Sequence, residues 1–249
     1  MKTVFYKVEA GNLPKNMRIA LVADLHASDP YKVICALKEI SPDYILLAGD
    51  ILEALDGSKD VENRKAFPIL KACADIAPTF YSTGNHEDGG VNSGTRSWNK
   101  ALEKERKYSE RNIKMIEDSG ACFLVNSHKV FDGIAFGGLA SGIICKEAIP
   151  DTDFLKRFSA VDRPKILICH HPEYYDKYIK ELGIDLIVSG HAHGGQWRIF
   201  GRGIYSPGQG LFPKYTSGVY DGRLVVSKGL KKGIIPRFFN AREIVIIET

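Results

Sequence analysis

The sequence predicts an α/β protein: a four-layer α/β/β/α sandwich of two sheets with helices outside. Five short aliphatic or aromatic runs bounded by polar turns, 17–23, 43–48, 78–83, 165–169 and 185–189, have the length and texture of buried strands. Helical spacing recurs between them, and strands alternating with helices give largely parallel pairing with covered faces. From about 121, and again after 196, the pattern turns β-rich, which divides the strands between two sheets.

The run MRIALVA (17–23) comes first, and Val33, Ala36, Leu37 and Ile40 after it line one face of a helix. Strand 43–48 (DYILLA) is followed by a helical stretch over 60–77, and strand 78–83 (PTFYST) by another over 97–119. CFLVN, HKVF and IAFGGL, separated by short polar or glycine turns, predict a β-meander or hairpin pair. After KILIC (165–169), Tyr174, Tyr175, Tyr178, Ile179 and Leu182 repeat the helical rhythm, and DLIVS (185–189) leads into the β-rich tail. No linker, repeat or compositional break interrupts residues 1–249, so one domain is expected.

At 44% hydrophobic and 26% charged, the 249-residue chain has a globular composition, which excludes a disordered or fibrous protein. No apolar run approaches the roughly 18 residues of a membrane span, and the polar start MKTVFYKVEAGNLPKN does not read as a secretory signal, so the cytoplasm is expected. Five widely spaced cysteines (35, 73, 122, 145, 169) form no C-x-x-C pair, which argues against a disulfide frame or zinc knuckle. The net charge is +4, but residues 214–242 hold seven basic residues and one acid, so the positive charge is local. With Trp197, Phe200, Tyr205, Phe212, Tyr215, Phe238 and Phe239, at least half of them expected in the core, this tail suits a nucleotide-like or lipid-linked phosphate. It also allows peripheral contact with an anionic membrane.

The chemistry sits where the strands end. Asp24-Leu25-His26, Gly49-Asp50, Gly84-Asn85-His86-Glu87, His170-His171-Pro172 and Gly190-His191-Ala192-His193 each follow one of the five runs. Ligands of α/β sheets bind beyond the carboxyl ends of the strands, so these motifs are expected to converge. Asp24, His26, Asp50, Asn85, His170, His191 and His193 are too many donors for one ion and suit two, divalent or mixed-valence, of Mn, Fe or Zn. His171 is expected to be structural and Cys169 a buried thiol. Residues 89–94 are glycine-rich but lack the P-loop spacing, and are expected to form a loop near the site.

As an ordered set, D-x-H, G-D, G-N-H-E, a strand-end His and G-H-x-H resemble the calcineurin-like metallophosphoesterase superfamily. The tail, with G-H-A-H-G-G-Q at 190–196, V-S-K-G-L at 226–230 and P-R-F at 236–238, resembles its bacterial branch of cell-wall phosphodiesterases and UDP-diacylglucosamine hydrolases. The resemblance implies one metal on Asp24, His26, Asp50 and His193 and a second on Asp50, Asn85, His170 and His191, with Asp50 bridging. It implies a phosphodiesterase or pyrophosphatase with a hydroxide between the cations as nucleophile and His86 as general acid. Glu87 is expected to orient an imidazole. Competing readings are a nuclease or phosphoprotein phosphatase, neither of which has its own signature here, and a non-catalytic metal-binding interaction module. Nucleic acid is the less favoured partner.

Overall fold

The computed structural model describes residues 1–88, 108–141, 150–232 and 236–249. The expected loop at 89–94, the first part of the helix expected over 97–119, and Cys145 fall outside them.

The first six-stranded sheet runs β1 (Lys2–Lys7), β16 (Glu243–Glu248), β2 (Arg18–Val22), β3 (Tyr44–Ala48), β4 (Thr79–Ser82), β5 (Cys122–Phe123). The second runs β14 (Gly218–Tyr220), β15 (Leu224–Val226), β9 (Leu186–Ser189), β8 (Lys165–Cys169), β7 (Ile134–Leu139), β6 (Ser127–Phe131). β2, β3, β4 and β5 are mutually parallel, as are β7, β8, β9 and β15.

Alternation along each strand builds the layers. Ile19, Leu21, Leu46, Phe80, Phe136, Ile166, Ile168 and Val188 point inward to one core between the sheets. Ala20, Val22, Ile45 and Leu47 face outward onto helices α1 (Tyr31–Ile40) and α3 (Pro68–Ile76), through Val33, Leu37, Ile69 and Leu70. Ala135, Leu167 and Ile187 meet Phe154, Leu155 and Phe158 of α5 (Thr152–Ser159) and Tyr175 of a π-helical turn, Tyr175–Ile179. This is the four-layer α/β/β/α arrangement. Strands buried on both faces are why the sequence shows them as unbroken apolar runs.

Several elements differ from expectation. The helix expected over 60–77 is divided into α2 (Asp60–Asn63) and α3, whose first residue is Pro68; a proline there has no N–H for the preceding turn but suits a helix start. The helix expected over 97–119 is described as α4 (Glu110–Asp118), capped by the Ser109 side chain. The expected meander is a single hairpin, β6–β7, because β5 joins β4 in the other sheet and β7 runs parallel to β8. β10 (Arg198–Ile199) pairs with β11 (Arg202–Gly203), and β12 (Tyr205–Ser206) with β13 (Gly210–Leu211), as two short hairpins in the tail.

Candidate metal centre

Parallel pairing sets the carboxyl ends of β2, β3 and β4 side by side, and backbone bonds carry the registry past them. Asp24 N–H donates to the Gly49 carbonyl (3.1 Å) and His26 N–H to the Asp50 carbonyl (2.8 Å), so both residues lie beside Asp50. Two bonds join the sheets here: His191 N–H to Asp24 Oδ1 (3.1 Å) and His170 Nδ1–H to the Ala48 carbonyl (2.7 Å), the latter leaving His170 Nε2 to face the centre. The approach is tight enough that a Cβ on Gly84 would collide with Asp50 Oδ1.

Six of the seven expected metal ligands come together in two trios, and the seventh, Asn85, is buried on the turn beside His86 with an unpartnered Oδ1. Asp24, His26 and His193 form one trio whose donor atoms lie within 4.8 Å of one another, and Asp50, His170 and His191 form a second. Asp50 Oδ2 stands between them, 3.5 Å from His26 Nε2 and 3.3 Å from His170 Nε2. Asp24 Oδ1 is 3.6 Å from His193 Nδ1. Asp24 Oδ2, His26 Nε2, Asn85 Oδ1, His170 Nε2 and His193 Nδ1 are buried and have no hydrogen-bond partner. Such atoms are costly unless something binds them. Oxygen and imidazole donors without thiolate, gathered in two adjoining trios, fit divalent first-row cations.

Three of the four imidazoles agree with that fit. Burial lowers the imidazoles of His26, His191 and His193 and keeps them neutral, with lone pairs to give. Burial opposes ionisation of Asp50, but His170 and then His26 and His86 outweigh it and hold the carboxyl well below its usual range. His170 is the exception: opposed by burial but raised to about 10 by Asp50 and Asp24, it holds a proton that a cation has to displace from Nε2.

One residue takes another role than expected and one beside it was not foreseen. Glu87, expected to orient an imidazole, instead accepts the N–H groups of Asp50 (2.8 Å), Ile51 (2.7 Å), Leu52 (2.9 Å) and Gly84 (2.8 Å) and the Tyr81 hydroxyl (2.7 Å). It ties the Asp50 turn to the turn carrying Asn85 and His86. The imidazole is held by Glu53, which the sequence did not single out: its Oε2 is 2.6 Å from His86 Nδ1 and its Oε1 is 3.4 Å from His26 Nδ1. The signal was a carboxylate three residues past Asp50 on the same turn. Burial works against its charge, yet His26 and His86 bring Glu53 down to about 2, while Glu53 and Asp50 raise His86 against its own burial.

Cys169 is a buried thiol whose Sγ meets the His171 carbonyl (3.3 Å). Of the seven tail aromatics, at least half of which were expected in the core, only Tyr215 is buried; Phe200 and Phe212, beside the short hairpins, and Phe239, in the loop before β16, are largely exposed outside both sheets. Among the described residues no helix is long and apolar enough to cross a membrane.

The family model for calcineurin-like phosphoesterases matches residues 17–195. An uncharacterized metallophosphoesterase of Campylobacter jejuni is 28% identical over 198 residues, 76% of this chain and 47% of the relative. The phosphodiesterase YaeI of Escherichia coli is 31% identical over 189 residues, 73% of this chain and 62% of its own. The chain spans about half the length of several curated relatives it matches. A crystal structure of a Thermus thermophilus protein aligns with a TM-score of 0.48 at 16% identity, covering 71% of this chain and 82% of that one.

Proposed function

Because the chain belongs to the calcineurin-like phosphoesterase family, we propose that it is a metal-dependent phosphoesterase that prefers phosphodiesters or pyrophosphates. Asp24, His26, Asp50 and His193 hold one cation and Asp50, Asn85, His170 and His191 the other, Asp50 being shared. The observation that carries the reading is the pair of donor trios joined through Asp50, which belongs to the second and lies 3.5 Å from His26 of the first, with buried donor atoms that have no partner. Two cations of the Mn, Fe or Zn type supply Lewis acidity and neutralise phosphoryl charge.

The chain's own groups supply the rest. His86 Nδ1 is held by Glu53, and its Nε2 lies 3.9 Å from Asp50 Oδ2, toward the centre. In this reading His86 delivers the proton to the leaving oxygen from Nε2. The preference for diesters rests on the tail motifs and on the relative named a phosphodiesterase. The test is hydrolysis of bis(p-nitrophenyl) phosphate and p-nitrophenyl phosphate by metal-stripped protein refilled with Mn, Fe or Zn, alongside Asp50→Asn. Diester cleavage that needs metal and is lost in the variant is expected. Equal or faster monoester cleavage would overturn the preference, and absence of all activity in protein carrying two ions would favour a binding module.

The exposed Phe200, Phe212 and Phe239, beside the basic tail, favour one addition: contact of this rim with an anionic membrane surface. Sedimentation with anionic liposomes at low salt tests it, and protein left in the supernatant would refute it.

A further inference from the structure

Behind the second trio lies a chain of polar groups that the proposed chemistry does not use. His171, on the turn after β8, has Nε2 2.5 Å from Ser141 Oγ and Nδ1 3.0 Å from Glu173 Oε1. The same Oε1 is 3.7 Å from His191 Nε2, and the His171 and His191 rings are 4.2 Å apart. His191 Nε2 and Glu173 Oε2 are both buried without a hydrogen-bond partner. The β12–β13 turn closes over this pair: Gly208, at φ 74°, has no room for a Cβ, which would collide with Glu173 Oε1 and lie 3.5 Å from His191 Nε2.

An imidazole has two nitrogens, and in the neutral ring one carries the proton while the other has the lone pair. His191 has Nε2 facing the carboxylate, so with the proton held there a lone pair for the space shared with Asp50 and His170 has to come from Nδ1. We propose that Glu173 is a positioning residue for His191: its carboxylate, 3.7 Å from Nε2, favours the proton on that nitrogen electrostatically, which biases the tautomer and leaves the Nδ1 lone pair for the cation. His171 holds Glu173 in place, donating from Nδ1 to the carboxylate and accepting at Nε2 from the Ser141 hydroxyl. Carboxylates behind metal-bound histidines act in this way, and their loss weakens metal binding about 10–100-fold. The assignment rests on the two-cation reading above.

Calorimetric titration of metal-stripped protein with Zn(II) alone tests it, combined with long-range 1H–15N spectra of the histidine side chains before metal is added. The wild type is expected to bind two ions and to carry the His191 proton on Nε2. Glu173→Ala is expected to bind one of the two about 10–100-fold more weakly, the other unchanged, and to mix the two tautomers. Glu173→Gln keeps the shape and one acceptor oxygen, so it folds where Ala fails and is expected to recover part of the affinity. A proton on Nδ1 in the wild type, wild-type affinity for both ions in both variants, or an ion held by His171, Glu173 and His191 themselves would overturn the assignment. If the wild type binds fewer than two ions, the two-cation reading fails, and the tautomer in metal-free protein still decides the role of Glu173.

Discussion

Asp24, His26, Asp50, His191 and His193 all have positive φ, between 46° and 65°. The left-handed region costs a non-glycine residue about 1–2 kcal/mol, and strain of this kind gathers at functional sites. The sequence displayed the candidate ligands and the glycines beside them, but not that five of these candidates themselves take the left-handed turn, because several strand-end conformations suit Asp and His. Glu53 and Glu173 stood in plain view near ligand motifs. They were overlooked because a carboxylate on a turn reads as a solvated charge until burial shows that it has only imidazoles to meet. Glu53→Gln should lower kcat about 10-fold or more and His86→Ala about 10²–10⁴-fold, with two ions still bound in each; wild-type turnover in His86→Ala would remove its role as acid. The Glu53–His86 pair also sets a pH window in metal-free protein. Glu53 is depressed from 4.5 to about 2, so its contribution is present above about pH 4.5 and lost on acidification. His86 is raised above 6.5, so its contribution is full below about pH 6.5 and lost as pH rises through the folded value. The difference in melting temperature between wild type and Glu53→Gln should therefore peak between about pH 4.5 and 6.5, and one that grows steadily toward pH 9 would contradict the pairing.

At the level of elements, the five strands that carry ligands were legible because each is buried on both faces. β1 was not, since it lies at a sheet edge with an alternating, mostly exposed pattern and takes its register from β16. The break between α2 and α3 was signalled by Pro68, and α5 by Asp151, whose side chain caps Phe154 N–H (2.8 Å). The tail aromatics misled because a string of aromatic residues reads as core, whereas two-residue strands have no sheet face to bury them against. The join between the Asp50 turn and the Asn85–His86 turn depends on one side chain. Glu87→Ala would leave four buried backbone donors unpaired and should cost at least about 3 kcal/mol in urea unfolding. A loss below about 1 kcal/mol would show that the turns hold themselves.

For the whole molecule, the sheets meet through one core in which Phe80 and Phe136 stack at 3.8 Å between centroids. Phe136→Ala should cost about 3–5 kcal/mol. We propose that the described sheets unfold as one unit, since β1 and β16, from opposite ends of the sequence, pair along six residues. Calorimetry should show a single transition, and removing the cations with EDTA should lower its midpoint by about 5–10 °C. Two resolved transitions would divide the chain. Both sheets contribute to each donor trio, so the proposed centre exists only when the sandwich is closed. The most direct test is anomalous diffraction from crystals soaked in Mn(II): two peaks about 3.5–4 Å apart on either side of the Asp50 carboxylate are expected. A single peak, or peaks away from Asp50, would contradict the two-cation centre.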